Sequence, residues 1–393
     1  MPMSSATRFH GTHGLVQAVL PFELTSQIAG WGRIRAFMLK EVSEEFTRDE
    51  WAYLATFLDV ENLWRPFQQS FGSQSNEKES PSLLVKPRGP IGLWLPNNVS
   101  LLGLLMLVVV SLTGSRLRMK AGSRSRDLTG AFLEFCRKHA GEGPLSSYLR
   151  DSVRHEVFPA DDPRNQEMAE CSAVRIVFGS NEAASAIHAL PHPLDSIGIS
   201  FADRRSEAWL ELDRCNDTIF RDLIKVFAVY GQAGCTSPSR VILINATRSG
   251  AIEVRNRLLA LWPSVIRRRS EMNVASDNVR AWQLARAAGW NSELVVENRA
   301  VVSVGDYALP VFSSLMELRI IPATMEEARA NLPQNIQTIG HALRDPGSPH
   351  WLELLAATNV TRFVPLATMH HFETIWDGQD FFAQLFTCTR VKT

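Results

Sequence analysis

The chain has 393 residues, and its 41 basic and 41 acidic side chains cancel to a formal net charge of zero. Without a net field it has no long-range means of gathering nucleic acid or an anionic membrane surface, and neither is expected as a partner. An apolar fraction of 45% and a charged fraction of 21% suit a globular chain with a sizeable core, long enough for about two or three domains.

Five cysteines, at positions 136, 171, 215, 235 and 388, are odd in number and form no CxxC pair. This argues against a disulfide framework and a zinc site and fits a reducing compartment. Residues 1–8 lack the apolar core of a signal peptide. A cytoplasmic protein without a metal site is expected.

Residues 23–71 have apolar side chains at three- and four-residue spacing, which predicts helix, with Thr25, Ser43 and Thr47 as caps. The polar stretch 72–82 reads as a loop. Residues 90–96 predict a short strand. The apolar run from Val99 to Thr113 reaches only about one-half to three-quarters of the roughly 20 residues of a membrane span, so it reads as a buried helix. A strand at 116–120 and a helix at 128–138 follow, with Cys136 on the helix's core face. A strand at 174–178 and a helix at 182–190 complete a strand–helix alternation that predicts a doubly wound α/β domain over 85–200. Beyond residue 200 the alternation resumes. A helix at 217–227, a glycine-rich loop, a strand at 241–244 and a helix at 250–261 lead into further β/α segments up to residue 366.

Four places carry candidate chemistry. Cys235 lies in Gly-Gln-Ala-Gly-Cys-Thr-Ser-Pro (231–238), ahead of Val-Ile-Leu-Ile (241–244). Glycines allow close backbone approach and positive φ, so the thiol is presented at a loop edge as a nucleophile; a lone cysteine is otherwise a small core hydrophobe. Asn98 follows a strand and a proline. It reads as an N-cap or as an oxyanion donor at the carboxyl end of a parallel strand, and the two roles are compatible. Arg116, Arg118, Lys120, Arg124 and Arg126 form either a solvated face or a phosphate-binding cluster, in which Lys120, Ser123 and Arg124 would meet a ribose or its 2′-phosphate. Gly179 and Ser180, at a strand end, mark a turn or a helix start able to take a pyrophosphate. No GxGxxG or Walker A loop is present. The histidines lack a ligand context, and the sequence does not specify a Cys–His pair with His370 or His371.

Together these stretches resemble the aldehyde dehydrogenase superfamily, and within it the fatty acyl-CoA reductases of the bacterial bioluminescence type. The resemblance spans roughly 85–393. Leu-Trp-Leu-Pro-Asn-Asn (93–98) is similar to the strand ending in Pro-Trp-Asn, which puts Asn98 on the oxyanion-hole asparagine. Met-Lys-Ala-Gly-Ser (119–123) resembles Leu-Lys-Pro-Ser, whose lysine holds the adenosine ribose. Val-Phe-Gly-Ser (177–180) resembles Phe-Thr-Gly-Ser at the dinucleotide site. Residues 231–238 are similar to Gly-Gln-x-Cys with the added glycine and Ser-Pro of the reductase branch. Met-Glu-Leu (316–318) places Glu317 where a ribose-binding glutamate is expected. Ile-Gln-Thr-Ile-Gly (336–340), Arg-Phe-Val-Pro-Leu (362–366) and Trp-Asp-Gly (376–378) resemble the reductase branch. There are departures. The general-base glutamate of the oxidising enzymes has no clear equivalent in 201–209, and Pro-Leu-Gly is Pro-Leu-Ala at 365–367.

The resemblance implies an aldehyde-dehydrogenase-like α/β fold. Residues 1–200 would form a helical N-terminal region and a Rossmann-type NAD(P)-binding domain. Residues 201–393 would form an α/β catalytic domain bearing the thiol, with a C-terminal segment. The implied reaction is NADPH-dependent reduction of an acyl-CoA or acyl-carrier-protein thioester to an aldehyde through a Cys235 thioacyl intermediate, with NADH as the other nicotinamide cofactor. Catalytic roles fall to Cys235 and Asn98, and cofactor contacts to Lys120, Ser123, Arg124, Gly179, Ser180 and Glu317. A helix dipole or the nicotinamide is expected to help ionise the thiol. A homo-oligomer and an acyl-activating partner protein are further expectations. The competing readings are an oxidative NAD(P)-dependent aldehyde dehydrogenase and a non-catalytic scaffold relative.

Overall fold

The computed structural model describes residues 5–392 apart from 13, 77–79, 100, 123–126, 229–231, 233, 268–271 and 313–315. The chain divides into two units, Met1–Ala202 with Phe372–Thr393, and Asp203–His371.

The first unit is built on five parallel strands: β1 (Ile91–Trp94), β2 (Leu117–Ala121), β3 (Val153–Val157), β4 (Val174–Gly179) and β5 (Ile197–Ala202). Their order is β3-β2-β1-β4-β5, so the chain winds outward from β1 first to one side and then to the other. The helix after β1, Leu102–Ser111, is buried from Gly103 to Ser111, as an all-round apolar helix must be. It begins at Leu102, so Asn98 is not its cap. The predicted helical stretch 23–71 is three helices, Leu24–Met38, Arg48–Phe57 and Val60–Phe71. Thr47 caps the second in a capping box with Glu50. Thr25 falls inside the first helix and Ser43 in the loop after it. The first helix packs on the buried apolar one, where Trp31 Nε1 donates to Ser111 Oγ at 2.8 Å.

A second sheet of this unit joins the two chain ends. Ser5–Gly11 and Gly14–Leu20 pair as a hairpin, Leu83–Pro87 runs parallel to the latter, and Phe386–Arg390 closes the edge. Beneath it Phe67 stacks on Phe9 at 5.4 Å and meets Phe382 edge-on at 4.9 Å. Asp377 and Gly378 both have positive φ between the short strands Ile375–Trp376 and Gln379–Asp380, the turn chemistry that Asp-Gly favours in tight hairpins.

The second unit contains β6 (Arg205–Leu210), β7 (Pro238–Ile244), β8 (Asn291–Leu294), β9 (Val301–Val304), β10 (Glu317–Ala323), β11 (Ile336–Ala342) and β12 (Arg362–Pro365). The order is β8-β9-β10-β7-β6-β11-β12, parallel except for β8. Successive residues serve opposite cores. Ala208, Leu210, Val241 and Leu243 pack against the helices Asp217–Ala228 and Arg248–Val265. Trp209, Ile242 and Ile244 pack toward Met272–Ala287, Met325–Ala330 and Pro349–Ala356. Burial on both faces explains the near-continuous apolar runs. The helix Met272–Ala287 buries little apolar area, only Asn278, Ala281 and Ala285 being buried, so its sequence carries no strong 3.6-residue signal. Among the described residues no helix is long and apolar enough to cross a membrane.

Phe67 is fully buried and joins both chain ends. Phe67→Ala should therefore destabilise the first unit by about 3–5 kcal/mol and expose the C-terminal segment. Denaturant unfolding and limited proteolysis check this, and unchanged cleavage beyond residue 372 would contradict it.

Candidate active site

In the first unit the predicted site residues gather at the carboxyl edge of the parallel sheet. Asn97 and Asn98 follow β1 and are exposed. A Cβ on Gly122, just past β2, would stand 2.9 Å from the Asn97 Cα. Only glycine lets the asparagine turn lie this close to the end of β2. β1 pairs with β2 on one side and β4 on the other, so this turn borders the switch point where open α/β sheets bind ligands. Gly179 ends β4, and Ser180 caps the helix Asn181–His188 by accepting from the Ala183 N–H at 3.2 Å. The Ser180 hydroxyl also bonds Glu182, which lowers that carboxyl's pKa.

Lys120, near the end of β2, is half-buried, with its ammonium 5.8 Å from the Phe158 ring centroid. Burial lowers its pKa, and among the described residues no carboxylate pairs with it. Arg118 is differently placed, because Glu156 holds it at 2.5 Å. The basic cluster is thus not uniform in charge: Arg118 is neutralised and Lys120 is not. Ser123, Arg124 and Arg126 lie outside the described residues.

In the second unit the site residues lie at the amino edge of the sheet, where β7 begins. Cys235 is half-buried. Its carbonyl accepts from Ser206 Oγ at 2.6 Å, and Ser239 Oγ donates to the Ser206 carbonyl at 3.1 Å. The Ser237 N–H donates to the Gly234 carbonyl at 2.9 Å. Gln232, with φ of 61°, clamps Glu317 by its backbone. The Gln232 amide donates to the Glu317 carbonyl at 2.9 Å, and its oxygen accepts from the Glu317 N–H at 3.0 Å. Glu317 is 3% exposed, and its side chain is already engaged, by Ser303 Oγ at 3.0 Å and Arg319 at 2.5 Å.

These two residues belong to a polar row across the sheet. Ser292, Ser303, Arg319, Arg240 and Glu207 are successive register partners on five strands. Arg240 pairs with the fully buried Glu207 at 2.5 Å, and Trp209 Nε1 donates to the same carboxylate at 2.8 Å. Burial pushes Glu207 up and Arg240 pulls it down, burial being the larger influence.

The sequence pattern did not single out Ser206, Thr236 or His370. Thr236 Oγ1 and His370 Nδ1 are 2.6 Å apart, and His370 Nε2 lies 2.6 Å from the Val226 carbonyl. A carbonyl only accepts, so Nε2 carries the proton. In the neutral ring Nδ1 then accepts from the Thr236 hydroxyl. Both ring nitrogens are engaged, so a papain-like role for this histidine does not fit. The helix that precedes the loop, Asp217–Ala228, has its carboxyl end, the negative pole, on the loop side.

Burial, with Arg362 and His371 adding repulsion and the Val226 carbonyl opposing, lowers the His370 pKa from 6.5 to about 4. Between those values the unfolded chain binds more protons than the folded one. The stabilisation is complete above pH 6.5 and falls away toward pH 4, by about 3 kcal/mol for this group alone. Denaturant midpoints between pH 7 and 4.5 should fall, and His370→Gln should flatten that acid limb; an acid limb identical to wild type would sink the assignment.

The model of the family described as Acyl-CoA reductase (LuxC) matches residues 54–388. No curated protein matches the chain by sequence. Among solved structures, aldehyde dehydrogenase from Bartonella henselae superposes with TM-score 0.67 at 11% identity, covering 94% of this chain and 86% of that one. Lactaldehyde dehydrogenase from Escherichia coli gives 0.64 at 11%, covering 94% and 87%. A methylmalonate-semialdehyde dehydrogenase from Sinorhizobium meliloti, complexed with NAD, gives 0.60 at 10%, covering 95% and 87%. At these identities the likeness is one of fold, that of the aldehyde dehydrogenases.

Proposed function

The chain belongs to the acyl-CoA reductase (LuxC) family and is an oxidoreductase of acyl thioesters, and on that premise we propose that Cys235 carries the acyl group and that the reductant is NADPH. The observation that carries this reading is the held, half-buried Cys235 loop at the edge of the second sheet.

The Cys235 thiolate attacks the thioester carbonyl. A new C–S bond forms, the old one breaks, and the CoA or carrier-protein thiolate leaves and takes a proton from solvent. A nicotinamide cofactor, when bound, supplies the hydride that turns the thioacyl group into a thiohemiacetal. Collapse of that adduct releases aldehyde and returns Cys235. The Asn98 amide and the Cys235 N–H are the proposed oxyanion donors, each worth about 10²–10³ in rate. The exposed position of Asn98 past β1 is compatible with this role. The lack of a recognisable base glutamate in 201–209 favours hydride over water as the acceptor of the acyl group.

Lys120, a half-buried cation without a carboxylate partner among the described residues, suits a ribose hydroxyl or its 2′-phosphate. Gly179 and Ser180, at the start of a helix beside the switch point, suit the pyrophosphate. Ser123 and Arg124 are proposed as neighbours of Lys120 from the sequence alone. Glu317 would reach a ribose only by leaving Arg319, so its proposed part is secondary. The acyl donor is a CoA or carrier-protein thioester. A cytoplasmic homo-oligomer, supplied by an acyl-activating partner, completes the proposal.

Intact-protein mass spectrometry after mixing with a panel of acyl-CoAs, without NADPH, should show a covalent acyl adduct that Cys235→Ala abolishes. An unmodified protein across CoA and carrier-protein donors, or NAD(P)H formation from an aldehyde without CoA, would overturn the reading. Lys120→Ala should weaken NADPH binding about 10- to 100-fold, as loss of a charge-assisted bond does. Cofactor titration by fluorescence checks this, and equal affinity for both proteins would remove Lys120 from the site.

A further inference from the structure

The loop carrying Cys235 leaves the helix Asp217–Ala228 and enters β7 at Pro238. One imidazole spans it. His370 donates from Nε2 to the carbonyl of Val226, in the last turn of that helix, and accepts at Nδ1 from Thr236, the residue after Cys235. It therefore fastens the entry of the loop to its exit. Thr236 is 5% exposed, so little water competes for its hydroxyl.

His370 is itself held. Arg362 is buried, and its guanidinium donates to the Met369 carbonyl at 3.1 Å and to the His371 carbonyl at 3.0 Å. These are the carbonyls on either side of His370. The same guanidinium donates to Thr338 Oγ1 on β11 at 3.2 Å. A continuous path of bonds thus leads from β11 through Arg362, the 369–371 backbone, His370 and Thr236 to the residue next to Cys235.

We propose that the Thr236–His370 pair is a latch that sets the Cys235 thiol for acyl transfer, with His370 as a positioning residue. This rests on the reading of Cys235 as the acyl carrier. His370 does not take the thiol's proton, since one nitrogen is capped by a carbonyl and the other by a hydroxyl. Its role is geometric. A nucleophile must be held to within about 0.5 Å of its productive position, and a misplacement of about 1 Å costs about 10²-fold in rate. The bond from Ser206 fixes the Cys235 carbonyl; the latch fixes the residue that follows it.

The test compares Thr236→Val, which keeps shape and removes the hydroxyl, with Thr236→Ser, which keeps the hydroxyl. Rapid-quench mass spectrometry follows acylation of Cys235 by whichever acyl-CoA of the panel labels the wild type fastest. Thr236→Val should slow the maximal acylation rate roughly 10- to 100-fold, with the half-saturating concentration and the melting temperature little changed. Thr236→Ser should restore the rate to near wild type. His370→Phe should slow it as Thr236→Val does, and the double variant should be no slower than the slower single one. Acylation of Thr236→Val at the wild-type rate, or equal slowing in the valine and serine variants, overturns the latch. If no acyl-CoA labels the wild type, it is the acyl-carrier reading that fails. The latch is then judged by the rate of Cys235 alkylation by iodoacetamide, which should differ between wild type and Thr236→Val and not between wild type and Thr236→Ser; equal rates in all three overturn it. Should His370→Phe fail to fold, the two Thr236 variants decide the matter alone.

Discussion

Parallel pairing of Arg205–Leu210 with Pro238–Ile244 decides where Cys235 stands. The register shifts at its start, with Ser206 opposite Pro238 and Glu207 opposite Arg240. Ser239 is thus the extra residue of a bulge, the kind of irregularity that re-aims a chain beside a site. It lets two serine hydroxyls exchange bonds with backbone carbonyls across the strands, one of them the carbonyl of Cys235. A loop at a sheet edge must find partners for such carbonyls or leave them to water. Here Ser206, Gln232 and Thr236 anchor the described residues of the loop with their side chains.

The two units use opposite edges of their parallel sheets. In the first, Asn98, Lys120 and Gly179–Ser180 cluster where strands end and a helix begins. A helix amino end carries partial positive charge, which suits an anionic dinucleotide. In the second, the cysteine loop is at the edge where strands begin and the preceding helix ends.

The polar row from Ser292 to Glu207 runs through a sheet otherwise packed with apolar side chains. Two arginines are register neighbours there, and each is neutralised by a carboxylate, Arg240 by Glu207 and Arg319 by Glu317. Breaking one partner of such a buried pair is costly because the other charge is left uncompensated. The row therefore limits how β10 and β7 can slide, and β10 bears the backbone that Gln232 clamps. Glu317, two residues before Arg319 on β10, meets the loop through its backbone, which Gln232 engages, while its carboxylate balances Arg319.

Much of this was legible in the chain itself. Alternation of apolar runs with helical spacing marks β1, β2, β4, β7 and β10. The Gly-Gln-Ala-Gly-Cys and Leu-Pro-Asn-Asn stretches point to the site because glycine, proline and asparagine impose local conformations that neighbours cannot override. What depends on distant partners was not legible. Asn98 reads as a cap until the helix is seen to start at Leu102; Arg118 reads like Lys120 until Glu156 is found across the strand. His370 sits in no local pattern, and only folding brings it between Val226 and Thr236. The return of residues 372–393 to the first unit, by way of Phe382, Phe386 and an edge strand, follows from burial of aromatic surface that is dispersed along the sequence. By itself the sequence determined the elements and the glycine-rich Cys235 loop, because these follow from side-chain periodicity and backbone freedom over a few residues. Tertiary structure alone decided which charges are neutralised and what holds the loop, because those depend on groups that meet only once the sheets have formed.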